Sequence, residues 1–359
     1  MSALASAAWP AEDEGAARLL HVDPVREAIR DARVSDLGSL LRPGDLLVLN
    51  DAGTLPGSLV GWSVRGPLEI RLAGAPALGE ARRWPAVLFG PGSWRERTED
   101  RQPPPRLVEG DRIRLETPGP DRGLAAEVAL VSALSPRLVE LRFDREGAAL
   151  WRALFRVGRP VQYSYLRGPL PLWHAQTAFA GRPLAAEMPS AGRPLRVPLL
   201  RSLRDRGVAI AALTHAAGLS STGDPAIDAA LPLPELSLVP EEAVAAVAAA
   251  QARGGRVVAV GTSVVRALEG AFREGRLQAG ASLTGLRIGP GHTPRVVSGL
   301  LTGLHEPGGS HFELLTAFAP RPLLEAALAH AARAGYLGHE FGDSSLILAR
   351  QRGGASSSS

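Results

Sequence analysis

The 359-residue chain contains no cysteine and no lysine, and Asn50 is its only asparagine. Without cysteine there are no disulfides, thiolate metal sites, iron–sulfur clusters or thiol nucleophiles. Without lysine, Schiff-base chemistry and the P-loop lysine are excluded, which sets aside pyridoxal enzymes and P-loop ATPases. All 40 basic residues are therefore arginine. A GC-rich genome is the plain source of that bias, since lysine and asparagine both use AT-rich codons. No run approaches the roughly 18 uninterrupted apolar residues of a membrane helix, so a spanning protein is excluded. Residues 1–15 carry no cationic flank, and Glu12, Asp13 and Glu14 fit neither a signal nor a transit peptide. The expectation is a soluble, cytoplasmic protein with no membrane contact.

What is present is ordinary globular material, 45% hydrophobic and 21% charged, in a length suited to about two domains. The net charge of +4 is unevenly spread. Between Arg142 and Arg206 stand twelve arginines against Asp144, Glu146, Glu187 and Asp205, a local +8. Arg193, Arg196, Arg201, Arg204 and Arg206 fall within one short stretch. Arginine forks match phosphate geometry, so this stretch is a candidate nucleic-acid contact. The alternative is a solvated helix face in an arginine-biased proteome.

Arg18–Val22 and Asp45–Asn50 (DLLVLN) read as strands, the second opened by the turn residues Arg42-Pro43-Gly44. From about Gly57 to Phe143 short segments alternate with Gly, Pro and acidic turns: Leu68–Leu72, Ala86–Phe89, Arg112–Leu115, Ala126–Val131 and Leu138–Phe143. That texture predicts a small β-barrel or sandwich. After about Ala149 helices and strands alternate. Helices are expected over Leu199–Arg206, Pro240–Ala252, from Gly261 to about Arg273 and over Leu323–Ala334. Strands are expected at Val208–Leu213, Arg256–Val260, Val296–Leu301 and Ser345–Ala349. The predicted fold is α/β: a mostly parallel sheet flanked by helices, formed by residues 1–57 and 149–352, with a small β-barrel domain inserted at 58–148. Gly353–Ser359 reads as a low-complexity, disordered tail.

Ligands of open α/β sheets sit beyond the carboxyl ends of the strands. Asn50-Asp51, Thr214-His215, Gly261-Thr262-Ser263 and His305 all follow predicted strands and define a common crevice. In RVVAVGTSVVRALEG, Gly261 turns the chain so that the amides of Thr262 and Ser263 open a helix, a ready anion site. Arg266 and Glu269 lie one turn on, where they read either as ligand groups or as a surface pair at i, i+3. His305 and His311 have no HxxxH, HxH or cysteine partner, so a metal site has little support. There is no GxSxG to anchor a hydrolase triad. Asp343 reaches the crevice only if the last strand runs antiparallel to its neighbours, or if its loop folds back.

Taken in order, these segments resemble the S-adenosylmethionine:tRNA ribosyltransferase-isomerase family of queuosine biosynthesis. The motifs are RPGDLLVLND (Arg42–Asp51), VGTSVVRALE (Val260–Glu269), LLTGLHEP (Leu300–Pro307) and FGDSSLIL (Phe341–Leu348). AQTAFA (Ala175–Ala180) and AAEMPSAG (Ala185–Gly192) are weaker versions of two more, and the likeness runs from about Arg18 to Leu348. The resemblance implies an α/β domain interrupted by a barrel. It also implies transfer of the ribosyl part of S-adenosylmethionine to the aminomethyl group of a 7-deazaguanine at the tRNA wobble position, with adenine and methionine leaving. S-adenosylmethionine is then a co-substrate, tRNA the partner, and no metal or redox cofactor is needed. The sulfonium acidifies the C5′ protons, so a base beside C5′ starts the chemistry. His215 or His305 is the candidate base, with Asp343 as a polar partner. Asn50, Asp51, Gly261, Thr262, Ser263, Arg266 and Glu269 are the candidate substrate-binding set. Arg193, Arg196, Arg201 and Arg204 are the candidate RNA contacts.

This sequence departs from the family pattern in several places. Gly53 and Ser58 stand where two arginines are usual, and Arg193-Pro194-Leu195 replaces Leu-His-Phe. The segment after His215 reads AAGLSSTGD, Gly303 replaces an asparagine and Gly308 an arginine. The N-terminus is also shorter than the family pattern. Two rival readings follow: a transferase that keeps the S-adenosylmethionine pocket but uses a different amine acceptor, and a non-catalytic RNA-binding paralogue. The oligomeric state is not encoded in these residues, and a monomer is the simplest expectation.

Overall fold

The computed structural model describes residues 4–11, 17–76, 81–115 and 123–349; the low-complexity tail lies outside the described residues. The main sheet begins with an antiparallel hairpin, β1 (Arg18–Asp23) and β2 (Ala28–Arg33), and the chain then enters the sheet centre as β3 (Leu46–Asn50). It leaves the sheet for six strands, β4 (Ser58–Ser63), β5 (Gly66–Leu72), β6 (Arg83–Phe89), β7 (Arg112–Leu115), β8 (Ala125–Val131) and β9 (Leu138–Phe143). These close into an antiparallel barrel in the order β8-β9-β6-β5-β4-β7. Helix α1 (Gly147–Val157) follows. Its Leu150, Ala153 and Leu154 join the barrel core beside Trp84, and Trp151 meets Trp84 edge-on at 5.6 Å. The sequence reading gives α1 to the α/β domain, yet its apolar face is buried in the barrel.

The chain then returns to the sheet through α2 (Val197–Asp205), β10 (Ala209–His215), β11 (Glu235–Val239), α3 (Glu241–Ala252), β12 (Val257–Val260), α4 (Thr262–Ala271), β13 (Gly280–Thr284), β14 (Gly299–Gly303), α5 (Arg321–Arg333) and β15 (Ser344–Leu348). Nine strands pair in the order β13-β11-β10-β3-β12-β14-β15-β1-β2. The four central strands, β10, β3, β12 and β14, are parallel. Around them the sheet is mixed: β15 runs antiparallel to β14 and parallel to β1, while β11 and β13 are added antiparallel. Parallel pairing is thus confined to four of the eight strand contacts, not most of them: the pairs β13–β11, β11–β10, β14–β15 and β1–β2 are antiparallel.

Parallel strands covered on both faces read as unbroken apolar runs, and alternate residues of these runs feed two separate cores. Leu46, Val48, Val257, Ala259 and Leu300 pack with α3, α4 and α5 on one face. Leu47, Leu49, Val258, Val260 and Leu301 pack with Leu203 of α2 and with Leu37 and Leu41 on the other. Asp45, fully buried, ties the start of β3 to its neighbour. It accepts from the amide of Arg256 at 2.8 Å and from its guanidinium Nε at 3.0 Å. Among the described residues no helix is long and apolar enough to cross a membrane.

Leu154 is fully buried in the barrel core. Leu154→Ala is expected to cost about 2–5 kcal/mol in urea unfolding. A cost below about 1 kcal/mol would mean that α1 does not seal the barrel.

Candidate active site

The four central strands deliver their polar ends to one place. Asn50, 1% exposed, closes β3 with all of its amide valences used. Its Nδ2 donates to the His215 carbonyl at 2.9 Å and to Ser263 Oγ at 3.2 Å. Its Oδ1 accepts from the amides of His215 at 2.9 Å and Ala52 at 3.0 Å. One side chain therefore fixes the ends of β3 and β10 and the first turn of α4 to one another. Asp51 accepts from the Thr214 hydroxyl at 2.6 Å, a second tie across the same pair of strands.

Above this floor lies a cavity of about 660 Å³. Gly261 begins α4 with φ of 93°, a left-handed conformation that a side chain would strain. The free amides of the first turn consequently open on the cavity with Thr262 and Ser263, which both line it. Arg266, one turn later and 8% exposed, also lines it. Its Nε donates to the Leu286 carbonyl at 3.1 Å and its Nη1 to Glu235, while Nη2 has no partner among the described residues.

Glu235, absent from the sequence-derived site, is the centre of the buried charge. Oε2 receives His215 Nε2 at 2.6 Å as well as Arg266, and Oε1 accepts from the Gly218 amide at 2.7 Å. Burial alone would raise its pKa, but the His215 hydrogen bond, the His215 and Arg266 charges and the Gly218 amide outweigh that and hold the carboxyl at about 2. His215 is wholly buried and does not line the cavity; it reaches the site only through Glu235. The signal for Glu235 was an acid opening the alternating segment ELSLV, which is strand β11.

His305 lines the cavity. Its Nε2 lies 2.8 Å from the Thr302 hydroxyl, and its ring is 5.0 Å from that of His311. Burial, and then the charge of His311, push the His305 pKa down to about 3, so its ring is neutral at physiological pH. The antiparallel course of β15 sets Ser344 opposite Gly303, which brings Asp343 to the rim of the crevice. Its two carboxylate oxygens, however, accept from the amides of Arg18 at 3.1 Å and Leu337 at 2.8 Å, and it does not line the large cavity. Glu269 is used similarly. It accepts from the amides of Arg295, Val296 and Val297 at 2.8–3.0 Å and holds the loop before β14. Of the expected substrate-binding set, Gly261, Thr262, Ser263 and Arg266 line the cavity, whereas Asn50, Asp51 and Glu269 build its frame.

The arginine stretch divides. Arg193 is buried; it donates to the His174 carbonyl at 2.5 Å and stacks over Phe341 at 5.0 Å. It is a packing residue rather than a phosphate contact, because its neighbours on the irregular segment before α2 turn it inward. Arg196, Arg201, Arg204 and Arg206 are exposed on and around α2.

An α/β sheet interrupted by a closed barrel, with a polar cavity at the carboxyl ends of its parallel strands, defines an enzyme scaffold of the barrel-inserted α/β type. The chain belongs to the queuosine biosynthesis family, whose profile, described as "Queuosine biosynthesis protein", matches residues 2–347. It is 36% identical over 349 residues to the S-adenosylmethionine:tRNA ribosyltransferase-isomerase of Anaeromyxobacter dehalogenans (strain 2CP-C), covering 95% of each chain. It is 37% identical over 327 residues to the protein of the same name from Thermus thermophilus, covering 88% of each. A crystal structure of S-adenosylmethionine tRNA ribosyltransferase from Thermotoga maritima shares the fold, with a TM-score of 0.52, 24% identity and 96% coverage of both chains. The family expected from the sequence motifs is the family found.

Because the folded pKa of Glu235 is depressed, its contribution to stability is complete above the ordinary carboxylate range and is lost as pH falls toward 2. Glu235→Gln leaves Arg266 buried without its counter-charge and is expected to cost about 3–5 kcal/mol near neutral pH. The variant should also lose part of the acid-induced fall in stability between about pH 4.5 and 2. Chemical denaturation across that range measures both. An unchanged acid limb would mean that Glu235 is not held ionised by this network.

Proposed function

We propose that this chain transfers and isomerises the ribosyl part of S-adenosylmethionine onto 7-aminomethyl-7-deazaguanine in tRNA, giving epoxyqueuosine and releasing adenine and methionine. The observation that carries the reading is convergence. Motif residues distant in sequence, Gly261, Thr262, Ser263 and Arg266 from one segment and His305 from another, line a single cavity. The relatives named for this activity, at 36% and 37% identity, support it.

Arg266 and the α4 N-terminus suit a carboxylate, here that of the methionine moiety. A forked cation with one unpartnered nitrogen beside helix N-terminal amides meets an anion with charge-assisted hydrogen bonds. Thr262 and Ser263 hydroxyls suit ribose oxygens. Glu235 and His215 hold Arg266 in position from beneath and are positioning residues. His305 is the proposed base beside C5′. It is the histidine of the two candidates that faces the cavity, and burial keeps its ring neutral, the form in which an imidazole can accept a proton. Exposed Arg196, Arg201 and Arg204 are the proposed phosphate contacts.

A second reading keeps the same co-substrate and changes the acceptor to another amine. The observation favouring it is Arg193: the residue that departs from the family wording is built into the packing beside the cavity rim, between the His174 carbonyl and Phe341.

Adenine release from S-adenosylmethionine, with and without tRNA bearing the aminomethyl base, tests the proposal. Release that depends on that tRNA is expected; release with small amines but not tRNA selects the second reading, and no release with either contradicts both. His305→Ala is expected to lower turnover by about 100-fold or more with S-adenosylmethionine affinity little changed; unchanged turnover removes His305 as the base. Replacing Arg201 and Arg204 together by alanine should weaken tRNA binding and flatten its salt dependence between about 50 and 200 mM. An identical salt slope would remove α2 from the RNA interface.

A further inference from the structure

Glu187, Glu340, Tyr163 and Tyr165 form another wall of the same cavity. Three donors converge on one oxygen of Glu187: the Tyr163 hydroxyl, the Ser220 amide at 2.9 Å and the Ser220 hydroxyl at 3.1 Å. No described residue hydrogen-bonds its other oxygen. Tyr165 and Glu340 line the cavity together, and Tyr165 favours the ionised form of Glu340. The two tyrosine rings stack at 6.2 Å with 12° between their planes, and Tyr165 lies 4.3 Å from the His339 ring.

Burial, followed by the neighbouring Glu187 charge, pushes Glu340 up to about 7 even with Tyr165 and Arg193 opposing. Burial also raises Glu187. Two crowded carboxylates of this kind have electrostatic room for a positive charge. A second, independent feature marks the cavity as a receptor for a polar ligand: Arg266 is nine-tenths buried, lines it, and keeps Nη2 without a partner. The two walls suit groups of opposite charge, an anionic one at Arg266 and a cationic one at the glutamates. Among the described residues no group of three His, Asp or Glu side chains stands ready for a metal ion, whereas aromatic faces beside carboxylates suit an organic ammonium.

We propose that Glu187 and Glu340, framed by Tyr163 and Tyr165, receive the protonated amine of the acceptor and decide which acceptors this chain takes. The carboxylates accept its N–H bonds, and the tyrosine pair flanks the flat group that bears it. The assignment rests on the proposed reaction for the identity of the acceptor, but it is tested without S-adenosylmethionine or tRNA.

The probes are 7-aminomethyl-7-deazaguanine and 7-methyl-7-deazaguanine as free bases, titrated calorimetrically into the full chain at pH 7. The amine is expected to bind at least about tenfold more tightly than its methyl counterpart, as a charge-assisted pair allows. Glu187→Gln and Glu340→Gln, which keep shape and remove charge, should each reduce that preference to within about twofold while leaving the affinity for the methyl base unchanged. A structural defect would weaken both bases alike. Equal binding of the two bases by the unaltered chain, no binding of either, or a preference that survives in both variants would overturn the assignment. Adenine release that fails while the amine preference holds would count against the proposed reaction and leave the amine pocket standing.

Discussion

The Asn50 side chain is the constraint on which the rest of the site depends. Strands β3 and β10 end side by side, and α4 begins above them, so amides and carbonyls that would be orphaned at that junction need internal partners. A primary amide supplies two donors and an acceptor with two lone pairs, and Asn50 uses them on the His215 carbonyl, Ser263 Oγ, the His215 amide and the Ala52 amide. Aspartate at this position would offer no donor, and glutamine would carry the same groups one methylene too far. With the junction fixed, His215 is held beneath Glu235, Glu235 holds Arg266, and the α4 N-terminus opens on the cavity. Asn50 leaves none of its own polar atoms unmet at that junction, whereas two buried nitrogens beside it, His215 Nδ1 and Arg266 Nη2, have no partner among the described residues, and of the two residues only Arg266 lines the cavity.

A buried ion network of this kind contributes little to stability by comparison with an apolar core of the same volume, since each charge has been taken out of water. Its value here is geometric. Arg266 is restrained by Glu235 and by the Leu286 carbonyl, so two of its nitrogens are committed and the third is left in a set position. The glutamate wall of the cavity has the opposite sign and is restrained by hydroxyls and an amide instead of by direct arginine bonds. One cavity thereby presents a committed cation and a pair of carboxylates on separate walls.

Much of the fold was legible from residue pattern. The parallel strands β3, β10 and β12 are unbroken apolar runs bounded by Gly or Pro, and β7 and β9 match the segments expected from alternation. Strands β2, β4, β11 and β13 were not read. β2 and β13 lie at sheet edges with polar residues, Gly61 interrupts the pattern of β4, and β11 follows a Leu-Pro-Leu-Pro run that masks its start. The convergence of Asn50, His215, Ser263 and His305 was legible because strand ends in such a sheet share one side. Which histidine lines the cavity was not, because burial is a property of packing: His215 lies under Glu235 and His305 does not. Glu187 and Glu340 sit on irregular segments with no periodicity to mark them, and Glu235, though it opens the alternating ELSLV, was missed with its strand behind the Leu-Pro-Leu-Pro run. Arg193 misled in the other direction, as charge counted along the chain says nothing of which arginine is turned inward.

Binding of S-adenosylmethionine by calorimetry to the full chain and to Arg266→Ala tests the central claim most directly. The account predicts one site per chain, with affinity lowered about tenfold or more in the variant, the loss of a charge-assisted pair in a buried setting. Equal affinity in the two proteins, or no binding by the unaltered chain, would contradict it.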